Sequence, residues 1–245
     1  MDRQVEALVR EFDRFVKVFD HRRRFGGPSV YFHDRTLERL RRFPSPAAAL
    51  ENDDFVESVY AVLTAWGMHR MGSRGARMED FEVFKNSLRA QASAISEIDK
   101  HFRQACDDLP TKLSRVPNDE LSGLAGELWS VISQMKLGKS EGARIVIGSK
   151  AIHHLLPELL PPIDRRHTLR FFLGREMLGS VGEQAAFLEI FPRFARIASE
   201  CEPLIDELMN ETPASGRYMR TSATKIIDNA IVGFGVERLR IAEEE

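Results

Sequence analysis

The chain is 245 residues long, 43% hydrophobic and 29% charged, with a formal net charge of −2 at pH 7. These proportions exclude a globally disordered chain and a uniformly basic nucleic-acid protein. The two cysteines, Cys106 and Cys201, stand far apart with no CxxC pair, which excludes a cysteine-ligated cluster or disulfide framework and suits a reducing cytoplasm.

The charged start, Met1 to Glu6, lacks the apolar core of a signal peptide, and no apolar run reaches the ~20 residues that span a bilayer. A cytoplasmic protein with no membrane partner is expected.

Val5, Leu8, Val9, Phe12, Phe15, Val16 and Phe19 recur at three- and four-residue steps. That spacing predicts one helix from about residue 2 to His21, ending before Gly26-Gly27-Pro28. Asp34 is placed to cap a short helix over Arg35 to Phe43, which Pro44-Ser45-Pro46 ends. Asn52 or Asp53 caps the next, with Phe55, Val56, Val59, Leu63 and Trp66 on its buried side. The glycine- and arginine-bearing run from Trp66 to Arg77 reads as a helix-ending corner around a core tryptophan, or as a ligand-facing loop. On the second reading Trp66 and His69 are pocket candidates.

Phe81, Phe84, Leu88, Ile95, Ile98 and Phe102 keep a seven-residue rhythm over one long helix, Glu79 to about Cys106, the spine of a bundle. Leu121, Leu124, Leu128, Ile132 and Met135 mark another. Arg144 to Ile147 is either a β-like stretch or the buried entry to the helix that bears Lys150. Val181 to Met209 is helical in pattern, with Pro192 and Pro203 kinking or dividing it. Thr221 or Ser222 caps a last helix that Gly233 and Gly235 stop. The expected fold is all-α, a compact multi-helix domain over residues 1–245, with two lobes of about 1–110 and 118–235 as the alternative division.

Charge is uneven along the chain. Arg22, Arg23, Arg24, Arg35, Arg39, Arg41 and Arg42 face only Asp34 and Glu38 in the same stretch. Such a basic patch holds an anion such as DNA phosphate, or forms a solvated face with internal ion pairs.

The densest chemistry lies in Gly148-Ser149-Lys150-Ala151-Ile152-His153-His154, a proline corner from Pro157 to Pro162, and Asp164-Arg165-Arg166-His167-Thr168-Leu169-Arg170. Ser149 is placed to cap a helix beginning at Lys150. A lysine at a helix start, partly buried, loses basicity, and a neutral amine is a nucleophile that forms Schiff bases. Asp164 sits where a helix start favours a carboxylate, as a catalytic group or a plain cap. Arg165, Arg166 and Arg170 are candidates for phosphate contact, or for pairing with Glu158 or Glu176. His154 is a third pocket candidate. Its spacing to Glu158 suits zinc, but without HExxH a structural histidine is the better reading, and no metal or cofactor is expected.

A glycine and lysine in Gly-x-Lys order, an apolar helix, a proline corner and an aspartate opening an arginine-bearing helix together resemble the second half of the helix-hairpin-helix DNA glycosylase superfamily. The matching positions are Gly148, Lys150 and Asp164, within Arg144 to Phe172. The resemblance implies that Lys150 attacks a deoxyribose and that Asp164 stabilises the cationic sugar. It also implies DNA as partner, and base-lesion glycosylase or abasic-site lyase activity. Two features depart from that pattern: Arg144-Ile145-Val146-Ile147-Gly148 lacks the first hairpin glycine, and the lysine-to-aspartate spacing is short. The alternative is a non-catalytic helical interaction protein. P-loop and Rossmann patterns are missing, and so are the strands that a catalytic serine motif needs.

Overall fold

The three–four spacings do become helices. The computed structural model describes residues 2–21, 27–68, 77–106, 111–139, 144–178, 182–211 and 219–240. Among these, thirteen α-helices carry the fold, and the one extended pairing is an isolated bridge between Met78 and Gly138. The protein is all-α.

The first stripe divides into α1 (Asp2–Arg10) and α2 (Phe12–Asp20) instead of forming one helix. Glu11 leaves helical geometry at the joint (φ −122°, ψ 29°), where Arg14 and Arg238 hold its carboxylate. Val5, Leu8, Phe12, Phe15, Val16 and Phe19 are buried as their spacing requires. The third helix, α3 (Pro28–Leu40), begins seven residues before the expected start at Arg35, and Asp34 lies inside it. Proline at a first helical position costs no hydrogen bond, and Gly27 enters with φ of 68°, so this start outcompetes the aspartate.

After it comes α4 (Pro46–Glu51), opened by Ser45, whose Oγ accepts from Ala48 N at 3.2 Å. Asn52 caps α5 (Asp53–Ala65), accepting from Phe55 N at 2.9 Å. The expected spine helix divides at Ala90 and Gln91 into α6 (Phe81–Arg89) and α7 (Ala92–Ala105). Next stand α8 (Asn118–Gln134) and α9 (Arg144–His153), the latter settling Arg144 to Ile147 as helix. A π-helical turn at Arg165–Leu169 leads into α10 (Arg170–Leu173). Pro192 is accommodated within α11 (Gly182–Glu200), and the division falls at Cys201, before α12 (Glu202–Asn210).

Ser222 caps α13 (Ala223–Arg238), its side chain accepting from Lys225 N. This helix does not stop at Gly233 and Gly235. It runs past both, and Gly233 faces the backbone of α2 so closely that a Cβ there would lie 2.0 Å from the Phe15 carbonyl oxygen. Its described residues from Ala223 to Gly235 are all buried, so α13 is a core helix wrapped by the others. One apolar cluster joins Val5 on α1 to Phe234 on α13. Cys106 and Cys201 are buried and form no disulfide, and burial pushes the Cys201 thiol up to about 12, which leaves it unreactive at neutral pH. No helix among the described residues is long and apolar enough to cross a membrane.

Candidate functional site

Lys150 lies in the last turn of α9, not at its first residue. Ser149 is therefore not a cap. Its hydroxyl donates to Val146 O at 3.1 Å and accepts from Ile163 N at 3.0 Å, tying α9 to the far side of the proline corner. That tie delivers Asp164 beside Lys150. Gly148 serves packing: a Cβ there would stand 2.8 Å from Ile132 Cγ2, so α9 lies hard against α8.

Asp164 caps the π-helical turn as the sequence predicts. Its Oδ1 accepts from His167 N at 2.6 Å, while its own N–H donates to Thr168 Oγ1 at 3.2 Å. Lys150 and Asp164 line one cavity of about 390 Å³, together with Trp66, His167, Lys225 and Asp228. Trp66 ends α5, and its Nε1 donates to Ser29 O at 3.3 Å. The Lys150 Nζ stands 5.8 Å from the centroid of that indole. It makes no hydrogen bond to any described residue, and only 9% of the residue is exposed. Burial lowers its basicity most; Asp164 and Asp228 pull the other way, and Lys225 adds to the lowering. The helix start expected to depress this amine plays no part.

Two of these groups do not stand out in the sequence. Lys225 and Asp228 occupy the first two turns of α13 and are almost wholly buried. Lys225 Nζ donates to Asp228 Oδ2 and Asn229 Oδ1, each at 2.6 Å, and Asn229 Nδ2 donates to Met219 O at 2.7 Å. Burial raises the Asp228 carboxyl above its usual range, with Lys225 opposing. The signal that could have found them is a Lys-x-x-Asp-Asn set around Ile226 and Ile227 and followed by the apolar run Ala230 to Val236.

His154 does not line the cavity. It is buried behind it, its Nδ1 on Lys150 O at 2.7 Å and its Nε2 on His33 Nδ1 at 3.0 Å. A carbonyl only accepts, so His154 Nδ1 carries a proton and its Nε2 accepts from His33. His33 Nε2 in turn accepts from the Thr221 hydroxyl at 2.6 Å. His153 donates from Nδ1 to Leu160 O at 2.9 Å, and its buried Nε2 has no partner. The three rings are therefore neutral, and burial is the main reason: His154 falls to about 4, His33 and His153 well below their ordinary value.

Because these native values lie below 6.5, the unfolded chain takes up protons first as pH falls, and stability is lost below about 6.5. His154 alone accounts for ~2 kcal/mol at pH 5. Glu158 and Asp228, raised by burial, act in the opposite sense over the same acid range. Histidine ring NMR isolates the first effect: of the seven histidines, three should keep neutral shifts at pH 5. If all seven titrate near 6.5, the buried chain does not exist in solution.

Of the arginines, Arg170 pairs with Glu176 at 3.4 Å, whereas Glu158 turns inward to accept from Ala223 N at 3.2 Å. Arg165 and Arg166 directly follow Asp164 and are half-buried. On α3, Arg35 bridges to Glu38 at 2.8 Å and Arg39 donates to the Asp54 carbonyl at 2.6 Å. Internal pairing thus engages part of the basic stretch. Arg22, Arg23, Arg24 and His69 lie outside the described residues. Among the described residues no group of three or more His, Cys, Asp or Glu is placed to hold a metal ion. Compared with protein families, curated proteins and solved structures, the chain finds no match in any of the three.

Proposed function

We propose that the protein binds DNA and acts on a damaged or abasic nucleotide, with Lys150 as amine nucleophile and Asp164 as the carboxylate that stabilises positive charge on the sugar. One observation carries this reading: a buried amine without a hydrogen-bond partner shares a cavity with a carboxylate beneath an indole. Burial lowers the basicity of this amine, the direction that favours a free electron pair for such an attack. At about 390 Å³ the cavity suits one extruded nucleotide, not a duplex, which fits chemistry performed on a flipped residue.

In the lyase direction, Lys150 Nζ adds to C1′ of the ring-opened abasic sugar, water leaves, and an iminium remains. In the glycosylase direction, the bond from C1′ to the base breaks as the bond to Nζ forms, and the base departs with the electron pair. Asp164 faces the developing oxocarbenium in the glycosylase direction and the positive iminium in the lyase direction. Arg165, Arg166 and Arg170 supply positive charge next to Asp164 for the flanking phosphates.

The competing reading is a non-catalytic helical protein in which Asp164 is only a cap, a role its bond to His167 N already fills. Asp164→Asn separates the two, since asparagine caps as well as aspartate but carries no charge. A catalytic Asp164 requires base release or strand cleavage to slow by ~10²-fold or more in this variant, with folding and DNA affinity nearly intact. Wild-type affinity, read by gel shift, should fall steeply with salt as phosphate contacts demand. Glutamate at both Arg165 and Arg166 should weaken it further. No DNA binding at low salt would remove this function.

A further inference from the structure

Two lysines converge on one indole in this cavity. Lys225 Nζ stands 5.8 Å from the Trp66 centroid, as does Lys150 Nζ, and 5.1 Å from that of Phe19. The two amines are held very differently. Lys225 is clamped by a carboxylate and an amide oxygen at 2.6 Å each, on the cap-anchored first turns of α13. Lys150 has no such clamp. A fixed ammonium ion beside a second, desolvated amine makes protonation of the second costlier, which is one of the few ways to keep a lysine nucleophilic at neutral pH.

We propose that Lys225, clamped by Asp228 and Asn229 over the Trp66 ring, is a positioning residue that keeps Lys150 reactive. It rests on the proposed DNA function only in what Lys150 finally attacks. The groups facing Lys150 come from three directions: Asp164 and His167 at the π-helical turn, Lys225 and Asp228 on α13, and Trp66 at the end of α5, with neutral His154, just past the end of α9, behind them. Within this set Lys225 is the cation that opposes a charge on Lys150, and the two aspartates favour it. Loss of Lys225 and loss of Asp228 therefore have opposite effects on Lys150.

The test needs no DNA. Formaldehyde condenses with a free amine to an iminium and water, and cyanoborohydride delivers hydride to give the methylamine. Peptide mass spectrometry then follows each lysine separately across pH. Lys17, exposed and held above its ordinary range by Asp13, is the internal reference. In the wild type, Lys150 should methylate with a midpoint below that of Lys17. Lys225→Met should shift the Lys150 midpoint up and slow its methylation at neutral pH, and Lys225→Arg should restore both. Asp228→Asn should shift the midpoint down, so the proposal remains testable even if Lys225→Met does not fold.

A Lys150 profile unchanged in either Lys225→Met or Asp228→Asn overturns the proposal. So does methylation of Lys225 in preference to Lys150. A Lys150 midpoint that responds to both variants, in a protein that never reacts with DNA, leaves the lysine pair standing and removes the DNA function alone. Reaction with DNA at Lys150 that ignores Lys225 does the reverse.

Discussion

Gly233→Ala should destabilise the protein by about 3 kcal/mol, a large share of the ~5–15 kcal/mol that holds a domain folded. Helix propensity alone predicts the opposite sign, because alanine is favoured over glycine inside a helix by about 1 kcal/mol. Packing decides the matter. The added Cβ would lie 2.0 Å from Phe15 O and 2.8 Å from Phe15 C, both backbone atoms that no side-chain rotation can move away. Nor can Phe15 retreat: its ring is fully buried and meets Phe234 edge-on at 5.0 Å. Relief requires α2 and α13 to separate, and α13 carries Lys225 and Asp228. Gly126→Ala on α8 is the matched control, since nothing lies within 4 Å of its added Cβ. It should be neutral or stabilising by up to ~1 kcal/mol. Urea unfolding of the two variants checks both; equal midpoints would show that α2 and α13 do not approach this closely.

The same glycine explains where sequence reading stops. Helix class was legible because the apolar residues Val5 to Phe19 and Phe81 to Phe102 follow helical steps. Caps were legible where a side chain bonds its own turn, as at Asn52, Ser222 and Asp164. Gly233 reads as a stop because local rules treat glycine as a breaker, whereas in the fold it makes room for a neighbouring helix. The misplaced start of α9 has a similar origin: Ser149 looks like a cap, but its hydroxyl is spent on Val146 O and Ile163 N.

Of the site, Lys150 and Asp164 were visible together because only a short corner separates them. Lys225 and Asp228 were not, since their place beside Lys150 depends on how α13 passes through the core. His33 was invisible for the same reason: its partner His154 is 121 residues away.

Whether Lys150 is the amine that attacks is tested most directly by borohydride reduction in the presence of DNA containing one abasic site. A Schiff base between Nζ and C1′ is reversible until hydride fixes it as a stable secondary amine. The wild-type protein should become covalently attached to the DNA, and peptide mapping should place the sugar on Lys150. Lys150→Met should lose the adduct altogether while remaining folded, because methionine keeps the apolar stem that this 9%-exposed side chain buries in the core. Asp164→Asn should still form it. An adduct that survives in Lys150→Met, or a wild-type protein that forms none, would contradict the assignment of Lys150 as the nucleophile.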